Sequence, residues 1–472
     1  MRQRQENPIG CGNCGRLANS LSKMKRVRYE GDLNLKHSQY NHVIHHDHLT
    51  YLFNSYRRGL HEISPTVERA LTLLGLNDPH WADLLSDDER YTLTHNGYVI
   101  PDEYEEHAEL MRERESQRLS PRTISLTIAP TIDCNFGCPY CFEGSDKPQE
   151  RMNGDTMMAV AALALGTTTP QTEELGVTWF GGEPLLAMPQ ITQLTEILVN
   201  QVAKPHALQY SATMISNGYG LTPKVARKLV ELHVKSIQIT VDGMAEFHDL
   251  RRFRLGGHPT FDRIVQNIVD VHEIIRISIR VNLDRSNKDS FIPLVNHLRQ
   301  LGLKDKVGIY PAFTRDAGDA GWSDSYESVQ EYMSDQVALH QQAVQHGARI
   351  LDYPSAVRLF CGASRPNFWV IHPNGDLHKC WDTINEHEQA VGNVHELEVD
   401  HTKLERWEHW SPFNHEKCRQ CNVMPLCMAG CAHKAFMTNG EPQCEQWKFG
   451  LHDAIRMWVA DKHNNLMLSE RG

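Results

Sequence analysis

The stretch CNFGCPYCFE, residues 134–143, decides the interpretation of this chain, because it places Cys134, Cys138 and Cys141 on one short loop. Three thiolates at this spacing can ligate three irons of a cubane iron–sulfur cluster and leave the fourth iron open. An open metal position is where a substrate or cosubstrate coordinates. A zinc site with cysteine ligands is the alternative that this loop alone leaves open.

Strand-like and helical segments alternate around this loop. The predicted strands are Thr123–Ala129, Val177–Phe180, Gln209–Ile215, Ser236–Val241, Ile277–Val281 and Val307–Tyr310. The helical patterns between them are Asp155–Leu165, Pro189–Val202, Pro223–Leu232, Phe261–Ile275 and Ser290–Leu301. Such alternation predicts an α/β fold with a parallel sheet. The length from Thr123 to about Asp316 suits six βα units rather than the eight of a full barrel.

Polar and glycine residues follow the predicted strands. Each type is common in ordinary turns, which is the alternative for any one of them. Agreement at several strand ends instead favours a ligand site, because βα barrels bind ligands at the carboxyl ends of their strands. The candidates are Gly181, Gly182, Glu183 and Pro184 after the second strand, Ser216 and Asn217 after the third, Thr240 and Asp242 after the fourth, and Asn282 after the fifth.

The twelve cysteines fall into groups of two, three and seven. Disulfide frameworks belong to short secreted chains, whereas clustered thiols in a reducing compartment indicate metal or iron–sulfur ligation. The group of seven reads Cys361-x13-Gly375-x4-Cys380, then Cys418-x2-Cys421-x5-Cys427-x3-Cys431, then Cys444. A zinc ribbon is the alternative for the Cys418-x2-Cys421 pair. Because this region is loop-rich, with too little apolar periodicity to build its own core, we expect ligated metal to hold it together.

Composition excludes several classes of protein. The net charge is −11 and the isoelectric point is about 6.2, which disfavours nucleic-acid binding because that depends on phosphate neutralisation. The longest apolar run, Met157 to Leu165, is too short for the ~20 residues of a membrane-spanning helix. The N-terminus lacks the apolar region of a secretory signal. We therefore expect a cytoplasmic protein without nucleic-acid or membrane partners.

The cysteine loop and the strand-end residues together resemble the radical S-adenosylmethionine (SAM) superfamily, whose fold is a partial (β/α)6 TIM-type barrel. The resemblance implies that Cys134, Cys138 and Cys141 ligate a [4Fe-4S] cluster whose fourth iron binds SAM. Gly181 to Pro184 would contact the SAM amino group, and Tyr140 would pack near adenine. Arg252 matches an arginine that holds the SAM carboxylate, and Thr240 stands where relatives have serine. In this superfamily the reduced cluster cleaves SAM to a 5′-deoxyadenosyl radical, which abstracts hydrogen from carbon.

The group of seven cysteines, with Gly375, resembles the SPASM extension of such enzymes. The resemblance implies two auxiliary [4Fe-4S] clusters, and therefore three clusters in all. Cys361, Cys380 and Cys431 would ligate the first auxiliary cluster, and Cys418, Cys421, Cys427 and Cys444 the second. Some family members supply one further cysteine shortly before the first, but Ser355 occupies the corresponding region here. The first auxiliary cluster is therefore expected to have a non-cysteine ligand or an open iron.

The resemblance covers residues 123–444 and implies four regions. Residues 1–36, with Cys11 and Cys14, are expected to form a tail. Residues 37–120 are expected to form a winged-helix-like α+β module, similar to the leader-recognition region of peptide maturases, with a helical linker. Residues 121–320 would form the radical SAM core. Residues 321–472 would form a bridging helix and the SPASM domain.

SPASM enzymes mostly modify peptides, so the leading functional interpretation is radical crosslinking (C–C, C–O or thioether) within a ribosomally made precursor peptide that carries a leader. A flavodoxin- or ferredoxin-type protein would supply the electron. The alternative is a sulfatase-maturase-like enzyme that makes formylglycine, whose catalytic Asp directly follows the second SPASM cysteine. Here Trp381 intervenes, and Asp382 is the candidate general base. An iron–sulfur electron carrier or a zinc scaffold is the non-enzymatic alternative.

Overall fold

The structure is a computed structural model that describes residues 34–144, 147–303, 305–314, 324–346, 353–355, 357, 361–396 and 399–469. The predicted tail with Cys11 and Cys14 lies outside these residues. Contacts divide the chain into two units. The smaller unit contains Thr66–Tyr104 together with the described residues before Gln39, and the larger unit contains Gln39–Pro65 and the chain from Glu105 onward.

The first elements of the described residues are short strands and helices. In chain order they are strands β1 (Leu35–His37), β2 (Asn41–His46), β3 (Leu49–Asn54) and β4 (Leu60–Ile63), helices α1 (Pro65–Gly75) and α2 (Asp87–His95), strand β5 (Val99–Pro101) and helix α3 (Glu106–Arg118). In the smaller unit, β1 pairs antiparallel with β5, and α1 buries Val67, Leu71 and Leu74, which recur at helical spacing. In the larger unit, β2, β3 and β4 form an antiparallel sheet. The winged-helix arrangement stays a prediction.

The next elements alternate as the sequence predicts. They are β6 (Thr123–Ile128), α4 (Gly154–Thr167), β7 (Glu174–Trp179), α5 (Met188–Ile197), β8 (Gln209–Ser216), α6 (Pro223–Glu231), β9 (Val234–Thr240), α7 (Ala245–Arg251), α8 (Phe261–Val271), β10 (Arg276–Leu283), α9 (Phe291–Gln300) and β11 (Gly308–Phe313). Strands β6 to β11 pair in sequential order and all in parallel. This is the α/β topology of a partial barrel, and its strand carboxyl ends lie at one edge of the sheet.

The six predicted strands and five predicted helices are confirmed, with shifted ends. Thr222 caps α6 as its sequence indicates, because its hydroxyl accepts a hydrogen bond from the backbone N–H of Val225. The helix predicted to reach Val202 changes to a π-helical turn at Leu198–Ala203. Helix α7 was not predicted, because it is short and precedes a glycine-rich turn.

The C-terminal elements are α10 (Val329–Gln345), β12 (Phe368–Ile371), β13 (Asp376–His378), β14 (Gly392–Asn393), α11 (His401–Glu408), α12 (Glu416–Arg419), α13 (Met424–Cys427), α14 (Ala432–Met437) and α15 (Trp447–Ser469). Helix α10 occupies the described part of the predicted bridging helix. Strand β12 pairs in parallel with β6, on the side opposite β7. Gly375 turns the β12–β13 hairpin with φ +98°, where a Cβ would lie 2.8 Å from Val394 Cγ2.

The cysteine-rich C-terminal region shares the hydrophobic core of the barrel. Ile371, Leu377 and Trp407 belong to the same buried cluster as Ile128 and Val177 of the sheet. Apolar burial against the barrel therefore stabilises this region, and its stabilisation by ligated metal stays a prediction. Within the described residues, no helix combines the length and the apolar character needed to cross a membrane.

Candidate active site

The cysteine loop, residues 134–143, follows β6 at the carboxyl edge of the sheet. Cys134 is buried, and Cys138 and Cys141 are half-buried. Burial raises the pKa of Cys134 to about 12 and also raises the pKa of Cys138, and the neighbouring thiolates oppose each other's ionisation. A bound metal offsets this cost of ionising the thiols, because a thiol that coordinates a metal is deprotonated. The three thiols therefore fit a metal-cluster site.

Lys147 adds a positive charge beside this loop. Its Nζ lies 3.1 Å from Cys141 Sγ and 3.3 Å from a carboxylate oxygen of Glu143. Burial disfavours the ammonium, but Cys141 and Glu143 outweigh burial and raise the pKa of Lys147. A buried cation at this distance stabilises thiolate charge. Sequence reasoning missed Lys147, because it follows the cysteine motif without belonging to its pattern.

The Gly-Gly-Glu-Pro turn packs against the cysteine loop. At Gly181, where φ is +113°, a Cβ would lie 2.3 Å from the Thr131 carbonyl oxygen. At Gly182 it would lie 2.2 Å from the Ile132 carbonyl oxygen. Pro184 then begins a 3-10 turn. The sequence suggested that these glycines admit a ligand, and the structure gives them a further role, which is to let two backbone segments approach closely.

Glu183 joins three of the strand-end segments. Its buried carboxylate accepts hydrogen bonds from Ser216 Oγ at 2.8 Å and from the backbone N–H of Asn217 at 2.7 Å. The Asn217 amide in turn donates to Asn135 Oδ1 at 2.8 Å, within the cysteine loop. Burial raises the pKa of Glu183, and the backbone N–H groups of Asn217 and Leu185 oppose that rise. Glu183 and Asn217 therefore hold together the segments that follow β6, β7 and β8 at the edge of the site.

Tyr140 connects the cysteine loop to the fourth and fifth strands. Its hydroxyl donates to Asp242, and it accepts hydrogen bonds from Arg252 Nη1 at 2.7 Å and Asn282 Nδ2 at 3.3 Å. Asp242 is fully buried, and its other oxygen accepts from the Asn282 backbone N–H at 3.0 Å. Thr240, at the end of β9, is also buried. The structure therefore brings these predicted residues together, whereas adenine packing by Tyr140 stays a prediction.

The adjacent residues Arg251 and Arg252 have different electrostatic partners. Arg251 Nη1 lies 2.5 Å from Asp284 Oδ2, and Arg251 Nε lies 3.6 Å from Asp242 Oδ2. The Arg252 guanidinium has no carboxylate within 4.0 Å among the described residues, and its buried Nε has no hydrogen-bond partner there. A buried cation without a carboxylate is costly unless a ligand supplies one. Arg252 is therefore suited to bind an anionic group.

The C-terminal cysteines form two groups, each matching a predicted ligand set. In the first auxiliary group (Cys361, Cys380 and Cys431), burial raises the pKa of Cys361 and Cys380. Cys431 adds to the rise at both thiols, and Asp382 and Cys361 add to it at Cys380. The second auxiliary group consists of Cys418, Cys421, Cys427 and Cys444. Burial raises the pKa of Cys418 to about 12, with further contributions from all three of its partners. Each group therefore concentrates thiols that a cluster would ionise.

Asp382 lies beside the first auxiliary group, in the turn Trp381–Thr383. Phe180, next to the glycine turn, stacks on both Phe142 of the cysteine loop and Trp381, with ring centroids 6.2 and 6.1 Å apart. Asn385 Nδ2 also donates to the Glu143 carbonyl oxygen at 2.8 Å. We call Phe142, Phe180 and Trp381 the aromatic stack. It joins the Asp382 segment to the cysteine loop.

His433 is a site residue that sequence reasoning missed. Its Nδ1 lies 3.7 Å from Asp382 Oδ2, and ligand atoms of Cys380, Asp382 and His433 all lie within 4.8 Å of one another. The signal in the sequence was Cys431-x-His433, a spacing at which two ligands can serve one site. It was overlooked because the cysteine pattern alone accounted for the segment.

Comparison with known families identifies the barrel. Residues 128–298 match the radical SAM superfamily. The chain carries a radical SAM domain. It is therefore an enzyme of radical chemistry, not the electron carrier or zinc scaffold considered from the sequence.

Relatives of this radical SAM protein extend beyond the matched domain. The mycofactocin maturase MftC of Mycolicibacterium smegmatis is 25% identical over 354 residues, covering 69% of this chain and 83% of that protein. The sporulation killing factor maturation protein SkfB of Bacillus subtilis is 26% identical over 181 residues, covering 38% of this chain and 40% of that protein. A solved structure of native anSMEcpe with bound AdoMet has a TM-score of 0.56 at 17% identity, covering 71% of this chain and 98% of that one. The structural likeness supports the α/β partial-barrel fold, whereas the winged-helix module and the SPASM domain stay predictions.

The radical SAM domain requires an iron–sulfur cluster and SAM, and the described residues fit both. Cys134, Cys138 and Cys141 provide three thiols of a cluster, and Arg252 provides an unmatched buried cation for a carboxylate. The three cysteines lie on one loop and Arg252 directly follows helix α7, and Tyr140 of the cysteine loop accepts a hydrogen bond from Arg252. The assignment of each residue to cluster or SAM stays a prediction.

Proposed function

We propose that this radical SAM enzyme modifies a ribosomally made precursor peptide by forming an intrapeptide crosslink. The names of two relatives, a mycofactocin maturase and a sporulation killing factor maturation protein, support a role in maturation. The grouping of the seven C-terminal cysteines supports two auxiliary [4Fe-4S] clusters in addition to the SAM-binding cluster. We further propose that residues 37–120 contribute to leader recognition.

The observation that carries this proposal is the contact between the Asp382 segment and the cysteine loop. The aromatic stack and the Asn385–Glu143 hydrogen bond hold Cys380 and Asp382 against the mouth of the barrel. Two members of the stack, Phe142 and Trp381, are each 43% exposed. A peptide side chain resting there would have the radical source on one side and a carboxylate on the other.

Crosslinking removes two hydrogens from the peptide. When bound, SAM and its reduced cluster supply the 5′-deoxyadenosyl radical that takes the first as a hydrogen atom. The second leaves as a proton and an electron when the new bond forms. We assign the proton to Asp382, and this assignment is supported by its carboxylate, which makes no hydrogen bond with a described residue and is 36% exposed. The electron would pass to an auxiliary cluster beside Cys380.

Mass spectrometry tests this function. The anaerobically reconstituted enzyme would be incubated with SAM, a chemical reductant and the short peptide encoded next to its gene. We expect 5′-deoxyadenosine and a peptide lighter by two hydrogens, with fragment ions missing between the joined residues. An unmodified peptide, with all clusters loaded and SAM cleaved, would refute peptide crosslinking.

Formylglycine formation is a second candidate, favoured by the same carboxylate beside Cys380. It also begins with hydrogen abstraction and needs a base, so the site alone accommodates both reactions. The products differ, because formylglycine is an aldehyde on a single Cys or Ser and leaves the backbone fragmentation intact. Reaction of the product with a hydrazine probe would identify the aldehyde.

We propose a flavodoxin- or ferredoxin-type protein as the electron donor and the reducing cytoplasm as the location. In support, all ten described cysteines are free thiols. Replacing the chemical reductant with reduced flavodoxin should sustain SAM cleavage. Failure of both flavodoxin and ferredoxin to do so, where dithionite succeeds, would exclude this class of donor.

A further inference from the structure

The first auxiliary group holds fewer thiols than a cubane has irons. It contains Cys361, Cys380 and Cys431, and the other described cysteines belong to the cysteine loop or to the second auxiliary group. Ser355, near the position where a further cysteine was considered, donates instead to the Tyr353 carbonyl oxygen at 3.4 Å. A fourth protein ligand from the described residues must therefore be a different side chain.

Two side chains with ligand atoms lie beside Cys380. The Asp382 carboxylate, a nitrogen of His433 and Cys380 Sγ are mutually within 4.8 Å. Both residues are close in sequence to ligands of the group, since Asp382 follows Cys380 by two positions and His433 follows Cys431 by two. A cluster bound at Cys380 would therefore have both side chains beside it.

The imidazole of His433 is held in place by packing. Its ring stacks on Trp407 with a centroid distance of 6.2 Å and an interplanar angle of 18°. Trp407 is buried, and it packs edge-on against Phe436 at 4.8 Å. The His433 side chain is 19% exposed, against 36% for Asp382. A ligand held by neighbours loses less side-chain entropy on coordination than a freely rotating one.

Charge also favours histidine over aspartate as the ligand. Three thiolates already bring three negative charges to the site, and a neutral imidazole adds none, whereas a carboxylate adds a fourth. Metal-bound histidines commonly direct their second nitrogen at a carboxylate. Asp382, 3.7 Å from His433 Nδ1, provides such a carboxylate. Lys379 does not neutralise Asp382, because its ammonium pairs with Glu408 at 3.7 Å and donates to two backbone carbonyls.

We propose that His433 is the fourth protein ligand of the first auxiliary cluster. This inference rests on the part of the proposed function that places an auxiliary cluster at Cys361, Cys380 and Cys431. A cluster with four protein ligands has no open iron for the peptide, so its role is to take an electron and not to bind the substrate.

Pulsed electron paramagnetic resonance tests the ligand directly. The reduced enzyme would be prepared without SAM, from cells grown on either ordinary or ¹⁵N-labelled histidine. We expect a strongly coupled nitrogen whose signal changes with the label in the wild type. It should disappear in His433→Ala and His433→Cys and persist in His409→Ala, a matched control at an exposed histidine of the same region. His433→Cys should keep about twelve irons per chain, with a lower midpoint potential.

Several outcomes would overturn the proposal. Absence of nitrogen coupling in the wild type would mean that His433 is not a ligand. Either Asp382, Cys11 or Cys14 would then supply the fourth ligand, or the fourth iron would be open. Persistence of the coupling in His433→Ala would mean that another histidine does so. Because this readout needs no peptide, its failure is separable from failure of the crosslinking reaction. A wild-type content of only about four irons would refute the auxiliary clusters and this ligand together.

Discussion

Substitution of the adjacent residues Arg251 and Arg252 tests the predicted SAM site directly. We predict that Arg252→Gln weakens SAM binding and leaves the fold stable, whereas Arg251→Gln destabilises the fold. The two side chains have opposite environments, since Arg251 faces buried Asp284 at 2.5 Å and Arg252 faces no carboxylate of a described residue within 4.0 Å. A SAM carboxylate would supply the partner that Arg252 lacks.

The expected changes in SAM affinity and in the free energy of unfolding follow from these environments. A hydrogen bond between charged groups contributes about 1.5–3 kcal/mol, so loss of the Arg252 contact should raise the Kd of SAM roughly 10- to 150-fold. Within the protein, Arg252→Gln removes the 2.7 Å bond to Tyr140, worth ~1 kcal/mol, and the contact of the guanidinium with the Phe136 ring at 5.9 Å, worth about 0.5–1 kcal/mol. Arg251→Gln removes the 2.5 Å ion pair with the fully buried Asp284, at a cost of about 3–5 kcal/mol.

The assay measures binding and stability on the same samples. Equilibrium dialysis of labelled SAM against each reconstituted variant gives the Kd, and urea unfolding gives the free energy of unfolding. Iron content serves as the control for an intact cluster. An unchanged Kd for Arg252→Gln would refute its role in SAM binding. Equal losses of stability in the two variants would refute the distinction between a structural arginine and a ligand-binding one.

Three further changes test other parts of the site. Replacing all cysteines of the cysteine loop by alanine should remove about four irons and abolish 5′-deoxyadenosine formation while the auxiliary iron remains, as iron analysis and chromatography would report. Asp382→Asn should leave SAM cleavage intact and lower the yield of modified peptide by ~10²–10⁴-fold, and an equal yield would exclude a base at this position. Gly182→Ala would place Cβ 2.2 Å from the Ile132 carbonyl oxygen, so we expect about 1–3 kcal/mol lower stability and weaker SAM binding by calorimetry.

The barrel could be predicted because its local signals agree with one another. Strands such as Arg276–Leu283 alternate buried and half-buried residues, and helix α8 (Phe261–Val271) repeats its apolar residues at helical spacing. Polar residues at the strand ends then predict a ligand site at that edge of the sheet. Helix ends were less predictable, as at Val271, because the chain leaves the helix where tertiary packing changes and not where the sequence pattern stops.

The C-terminal region was harder to predict, because its partners are distant in sequence. Strand β12 (Phe368–Ile371) pairs with β6 (Thr123–Ile128), and nothing local in either segment specifies this register. For the same reason, the sequence could not distinguish Arg251 from Arg252, since the carboxylate that separates them, Asp284, lies on another strand end. His433 could not be predicted as a site residue for the same reason, because Asp382, which lies 3.7 Å from it, is distant along the chain.

The two halves of the proposed reaction depend on a shared framework. Strand β6 leads into the cysteine loop, and β12, which leads through its hairpin to Cys380, is hydrogen-bonded to β6 along the same sheet. A site built on paired strands holds its groups more precisely than one built on separate loops. The aromatic stack is a second contact between the cysteine loop and the Asp382 segment. With His433 on iron and Asp382 exposed beside it, the proton and the electron of the second step would leave by neighbouring but distinct groups. A peptide radical could then be oxidised without binding to the cluster.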